Sequence, residues 1–568
     1  MYVECIHTTN ALRGICMKRH LRFNGRFFTL IVTVIMFGLL VACSNGQKEN
    51  TDKPSNTPAA SSNTQGNAEK EPSEPGSVYP IDTKETITSW EEVNDNLITF
   101  YANIADTPFG KQLEKETGVK VAYTHPASGQ RKDQFNLMIV SNNLPDTIEI
   151  DWTTEYPGGP EKALNDKVII PLNDLIENHA PNLKKILQEN PELDKMLKTD
   201  NGEYYVFPMI RPDNGLVFRG PMIRKDWLDE LKLEIPTTID EWYVVLKAFK
   251  EQKGATAPLT AMYTNELNLQ DAFIGAYNTA NKHYVDDSGQ VKYGPIDPQF
   301  KDALTLLNKW YEEGLFDKDF ALNTETKNLT AKMLDNSSGA TVHLNSGGIG
   351  GWTEAGRKLD PNFTLAAAPY PTLNKGEVAF IGQRSFEYNS PASKAISADA
   401  KNPELVAQWL DYAFSEAGSA LFNFGIEGES YTMENGVPTF TDKITNDPTY
   451  SMNQLVSQYT KPNGPFLGDA RKNFNIFPEQ DDAIITWAKT DALKHTLPGF
   501  ITPTVEESAE VAKILTAVKS YKEEMFVKFV MGRESLDKFD EYVSKIEDMG
   551  IDQVTTIYQN ALERYNNR

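Results

Sequence analysis

Between residues 97 and 151, short runs with strand character alternate with stretches of helical spacing. That alternation confines the chain to a mostly parallel sheet covered by helices. Leu97-Ile98-Thr99-Phe100-Tyr101 reads as a first strand, rich in β-branched and aromatic residues. Pro108 to Thr117 carries Phe109 and Leu113 at helical spacing and stops at Gly118, which can end a helix in the left-handed conformation. Val119-Lys120-Val121-Ala122-Tyr123 alternates as a second strand, and Gln130 to Val140 reads as a helix. After the turn at Asn142-Asn143-Leu144-Pro145-Asp146, Thr147-Ile148-Glu149-Ile150-Asp151 forms a third strand. Sheets of this kind bind ligands beyond the carboxyl ends of their strands.

Farther along, helices dominate. Asn201-Gly202-Glu203 predicts a hairpin turn into Tyr204-Tyr205-Val206-Phe207. Thr237-Thr238-Ile239-Asp240-Glu241-Trp242 has the pattern of a helix start, with acidic residues in the first turn, and its helix runs to about Lys250. Longer helical stretches are Pro298 to Glu313, Asn402 to Ser419, Glu506 to Met531 and Ser535 to Tyr565. Trp227, Trp242, Trp310, Trp409 and Trp487 lie among apolar neighbours in helical contexts and are expected in the core. A chain of 568 residues can build two or three such cores.

The amino end has a different character. Lys18, Arg19, Arg22 and Arg26 precede an apolar run from Phe27 to Ala42, and Leu40-Val41-Ala42-Cys43 closes it. A basic stretch, an apolar stretch too short for a spanning helix and a small residue before the cut make a secretory signal peptide over residues 1–42. Leu-Val-Ala-Cys resembles the bacterial lipobox, which implies that Cys43 becomes an acylated amino terminus holding the protein at the extracellular face of the cell membrane. From Cys43 to residue 77 the chain is poor in apolar residues and reads as a flexible tether. The only cysteines are Cys5, Cys16 and Cys43, so nothing beyond Cys43 can form a disulfide, a Cys-ligated metal centre or a Cys nucleophile. A net charge of −23 argues against a nucleic-acid partner, which would require clustered cations.

Several local stretches in order carry a family resemblance. Ile223-Arg224-Lys225-Asp226-Trp227-Leu228 followed by Pro236-Thr237-Thr238-Ile239-Asp240-Glu241-Trp242 resembles the family 1 extracellular solute-binding proteins, in the branch of LipO/YtcQ-like lipoproteins of Gram-positive bacteria. Glu313-Gly314-Leu315-Phe316-Asp317, Lys401-Asn402-Pro403-Glu404 and Phe424-Gly425-Ile426-Glu427-Gly428-Glu429-Ser430-Tyr431 agree with it. The resemblance implies an α/β fold of two discontinuous lobes over residues 78–568, joined by hinge strands around a central ligand cleft. It implies a monomer that captures a small solute, an oligosaccharide foremost, for the permeases of an ABC importer, with no catalytic residues and no cofactor.

A sugar site wants aromatic faces and hydrogen-bonding side chains near strand ends and loops that face the cleft. Asp151 and Trp152 follow the third strand, with Trp152 as a stacking ring. Asn345-Ser346-Gly347-Gly348-Ile349-Gly350-Gly351-Trp352 is a glycine-rich loop after Ala340-Thr341-Val342-His343-Leu344, suited to close backbone approach, with Trp352 as a second stacker. Arg384 can reach hydroxyls or a uronic carboxylate. Glu427 and Tyr431 sit in the longest family stretch, and Arg211 lies near the expected hinge. Two other readings of the fold stay open: a surface sensor presenting its ligand to a membrane kinase, and a secreted carbohydrate-active enzyme. The sequence has no Gly-x-Ser-x-Gly and no His-Glu-x-x-His. Asp200-Asn201-Gly202 lacks the spaced ligands of a calcium loop, so no required metal is expected.

Overall fold

The computed structural model describes residues 78–263, 272–472, 475 and 477–568. The signal peptide over 1–42, Cys43 and the tether to residue 77 lie outside the described residues. Thirteen strands are described: β1 (Thr86–Trp90), β2 (Lys120–Thr124), β3 (Thr147–Ile150), β4 (Phe207–Ile210), β5 (Arg219–Arg224), β6 (His283–Val285), β7 (Val291–Tyr293), β8 (Ala340–Leu344), β9 (Leu365–Ala367), β10 (Tyr388–Ile396), β11 (Tyr431–Glu434), β12 (Val437–Phe440) and β13 (Phe466–Leu467).

Lobe one is built on a sheet of order β13-β4-β10-β3-β1-β2. β1 runs parallel to β2 and β3, with Ile87 beside Val121 and Ser89 beside Thr147. β10 returns antiparallel between β3 and β4. Its register slips between Asn389 and Lys394, a stretch that includes Pro391. Proline has no N–H to give a ladder, so the irregularity falls where the sequence requires it. Every residue of β3 is buried, because helices cover both faces of the sheet. Lobe two has the smaller antiparallel sheet β8-β5-β9, around which Phe273 packs edge-on to Trp242 and Trp310 at 5.2 and 5.3 Å. Each lobe therefore has its own apolar core.

Local chemistry fixes most helix ends where the sequence places them. The Thr107 hydroxyl accepts the Gly110 N–H at 2.8 Å, Pro108 opens the helix, and Gly118 closes it at φ +73°. Thr238 caps the helix Ile239–Gln252 in the same way. Two expectations need correction. Leu97 to Tyr101 is not a strand: the Asn94 side chain accepts the Asn96 N–H and starts the one-turn helix Asp95–Ile98, while the first strand is Thr86–Trp90. The stretch from Asn402 to Ser419 breaks into Pro403–Asp411 and Glu416–Phe424, because the Ser415 hydroxyl caps a new start. Ser535 to Tyr565 is largely helical as expected, in Phe539–Asp548 and Ile551–Asn566 with Gly550 at φ +97° between them. The five tryptophans expected in the core are all buried.

The chain crosses from lobe one to lobe two through residues 211–218, back through 368–387, and leaves lobe one again from 468 onward. These ribbons hold one another: Arg211 N–H donates to Glu387 O, Ser385 N–H to Leu216 O and Gly468 N–H to Ile210 O, each at 2.8 Å. The last helix belongs to both lobes. Ile551, Val554 and Ile557 enter the core of lobe two, and Ala561, Leu562 and Tyr565 enter that of lobe one. Spaced mostly three and four residues apart, they form one stripe along the helix. Arg564 and Arg568 then hold Asp200 of lobe one at 2.6 Å, so the carboxylate of the Asp200-Asn201-Gly202 turn is engaged by two guanidiniums. At the other end, Tyr79 packs against Tyr412 of lobe one and donates to Gln408 O.

Candidate functional site between the lobes

The carboxyl ends of β1, β2 and β3 carry the loops that form the site, and a buried charge cluster supports them. Glu91, just after β1, meets Lys461 at 3.0 Å, and Lys461 meets Glu149 of β3 at 2.8 Å. Lys394 of β10 pairs with Glu91 and lies 3.5 Å from Glu149. All four residues are buried. Burial alone would push the Glu91 carboxyl up, but the two lysines override it and hold it at about 2. His125, after β2, is fixed by the same wall: Nδ1 lies 2.8 Å from Glu91 O, and Nε2 accepts the Ile104 N–H at 3.3 Å. That pairing assigns the proton to Nδ1.

A cavity of about 500 Å³ opens beside this cluster, lined by Glu92, Asn94, His125, Arg131, Glu149 and Lys461 among others, all from lobe one. A second cavity of about 540 Å³ has walls from both lobes. Thr153 and Thr154, just after β3, contribute from lobe one. Arg219, which opens β5, contributes from lobe two, as do Leu515, Lys519 and Lys522 of the helix Val505–Val530. The two spaces approach each other at the loop after β3. Arg131, which lines the first, pairs at 2.5 Å with Glu155, the neighbour of Thr154. In the second cavity the His283 ring meets Tyr293 at 4.7 Å and Tyr558 at 4.9 Å. Burial pushes the His283 imidazole down to about 4, so it faces the cavity uncharged at neutral pH.

The structure disperses the residues singled out from sequence. Trp152 is 0% exposed, packed edge-on to Phe135 at 5.9 Å and against Tyr156 at 6.1 Å, which leaves no ring face for a sugar. Asp151 is buried beside it, its carboxylate capping Thr153 N–H at 3.0 Å and accepting the Ser390 hydroxyl at 3.1 Å. Trp352 is 4% exposed, stacked on His343 at 4.6 Å and donating to the Thr330 hydroxyl at 3.0 Å. The glycine-rich stretch before it is partly packed inside lobe two, with Ser346, Gly347 and Gly351 exposed. It winds as a wide π-helical turn over Asn345–Trp352, where a Cβ on Gly348 would meet the Met222 sulfur at 2.7 Å and one on Gly350 the Gln480 amide at 2.7 Å. Close packing inside lobe two demands those glycines.

Arg211 and Arg384 do lie on crossing ribbons. Arg211 donates to the Asn389 side chain at 2.6 Å, and Arg384 is half-buried with its Nε lacking an acceptor among the described residues. Glu427 and Tyr431 line a separate cavity of about 440 Å³ on lobe one, together with Arg471. Sequence reasoning missed Thr153, Thr154, Arg219, Lys282, Lys519 and Lys522. For Thr153 and Thr154 a signal existed, since they follow the third strand directly.

Two lobes with separate cores, joined by ribbons and enclosing a cavity walled by both, define a two-lobed binding protein of the kind that closes by hinge motion. The chain belongs to the bacterial extracellular solute-binding protein family, whose sequence profile matches residues 99–420. The fructooligosaccharide ABC transporter substrate-binding protein FusA of Streptococcus pneumoniae is 27% identical over 379 residues, 62% of this chain and 65% of FusA. Lipoprotein LipO of Bacillus subtilis is 25% identical over 59% of this chain and 66% of its own length. The chain thus spans just under two thirds of each of these two relatives. The polygalacturonan/rhamnogalacturonan-binding protein YtcQ of Bacillus subtilis is 24% identical over 80% of this chain and 88% of its own length. Among solved structures, the alginate-binding protein AlgQ2 without calcium ion superposes with a TM-score of 0.68 at 27% identity, covering 85% of this chain and 98% of AlgQ2.

Proposed function

We propose that this protein captures an oligosaccharide between its lobes and delivers it to the permeases of an ABC importer, acting as a monomer without catalysis. The cavity shared by the two lobes carries this reading. It offers threonine hydroxyls, an asparagine and the Tyr293 and Tyr558 rings, the mixture of hydrogen-bonding groups and aromatic faces that a sugar requires. Its volume of about 540 Å³ lies within the range of pre-formed ligand sites. The family relationship supports the same role, as do relatives whose names record sugar binding.

A thermal-shift screen of residues 78–568 against oligosaccharides tests it. A sugar at about a hundred times its dissociation constant adds about 2.7 kcal/mol of stability and is recovered uncut. A sugar recovered cleaved replaces capture with hydrolysis, and a panel with no shift removes the sugar assignment.

Anchoring is part of the same proposal. Acylation of Cys43 would hold the protein at the extracellular membrane face, with the following residues as its tether. Cys43→Ala is expected to move the protein from the membrane fraction to the medium. Unchanged membrane retention of the variant would exclude the thiol as the attachment point.

A further inference from the structure

We propose that the cavity between the lobes takes an anionic sugar chain whose acid groups are carboxylates, as in a uronate oligosaccharide. This rests on the capture reading above and names its substrate class. In the whole chain Asp and Glu number 79 against 56 Lys and Arg, yet the wall of this cavity reverses that balance. Arg219, Lys282, Lys519 and Lys522 line it, and among the described residues no Asp or Glu does. The cations come from three separate stretches of chain that only the fold brings together. Lys519 and Lys522, with Leu515, are spaced four and three residues apart and so share one face of their helix.

Among the described residues, Arg219, Lys282 and Lys519 form no ion pair, although 79 acidic residues are available to the chain. The contrast with the lobe-one cavity is direct. There Glu92 and Glu149 accompany Arg131 and Lys461, and each of those cations is paired with a carboxylate. Unneutralised cations of one sign in a partly enclosed space focus a field that draws in an anion. A sugar chain adds what a simple anion lacks: ring faces for Tyr293 and Tyr558, and hydroxyls for Thr153, Thr154 and the Asn281 amide, whose buried oxygen has no partner among the described residues.

Titration calorimetry on residues 78–568 tests this with three probes of equal length: a uronate oligosaccharide, its neutral counterpart and a sulfated one. The uronate is expected to bind about tenfold more tightly than the neutral chain at low salt, with the preference shrinking as salt rises. Lys282→Glu combined with Lys519→Glu, both exposed positions, removes the preference while leaving the melting temperature unchanged. Lys513→Glu, on the same helix but outside the cavity, leaves it intact. Equal affinity for neutral and uronate chains, or a double variant that binds uronate unchanged, overturns the anionic assignment while capture stands. Preference for the sulfated chain overturns the carboxylate. If none of the three binds, and no other sugar does, the capture reading fails with it.

Discussion

Lys394→Met is expected to lower the stability of the protein by about 3–5 kcal/mol, because it leaves buried carboxylates short of a cation. Lys394, Lys461, Glu91 and Glu149 form one cluster inside lobe one, and with Lys394 gone Lys461 must serve both acids. Urea denaturation reads the loss directly. Glu91→Gln added to Lys394→Met recovers much of it, since the cost is that of an unpaired charge more than of a missing contact. The pH dependence has a fixed sign. Glu91 sits at about 2 in the folded protein against an ordinary 4.5. The cluster therefore contributes stability at neutral pH that is lost as the pH falls from about 4.5 toward 2. In the Lys394→Met variant that acid-induced loss is smaller and the stability curve flatter. A change below about 1 kcal/mol would mean that water reaches the cluster.

Trp152→Ala separates packing from binding. The indole is fully enclosed by lobe one, so its removal should cost about 3–5 kcal/mol through lost burial and the cavity left behind. Measured well below the variant's melting temperature, sugar affinity should stay within a few-fold of the parent, because the neighbouring Thr153 and Thr154 face the cavity and the indole does not. The opposite pattern, unchanged stability with lost affinity, would return Trp152 to the role of a stacking ring.

Strands and helices with a clean period were legible. The second and third strands and the helix opened by Thr107 and Pro108 lie where spacing and caps place them. The first strand was misplaced because Thr-Ile-Thr-Ser-Trp and Leu-Ile-Thr-Phe-Tyr have equal strand character. Only Asn94, capping the second of them, separates the two. At the carboxyl end of β3, Thr153 and Thr154 line the cavity while Asp151 and Trp152 are buried. A large aromatic ring after a strand serves a core or a ligand equally well, and here the core took both Trp152 and Trp352. The cationic wall was not legible at all, since Arg219, Lys282 and Lys519 are distant in sequence and carry no local pattern.

The described chain begins at lobe one, through Tyr79, and finishes there, through Arg568 on Asp200. Lobe two is thus a body looped out of lobe one. Whatever grips the protein by its amino end grips lobe one and bears no load from its partner. Movement of lobe two would therefore leave Tyr79 and its contacts with Tyr412 and Gln408 in place.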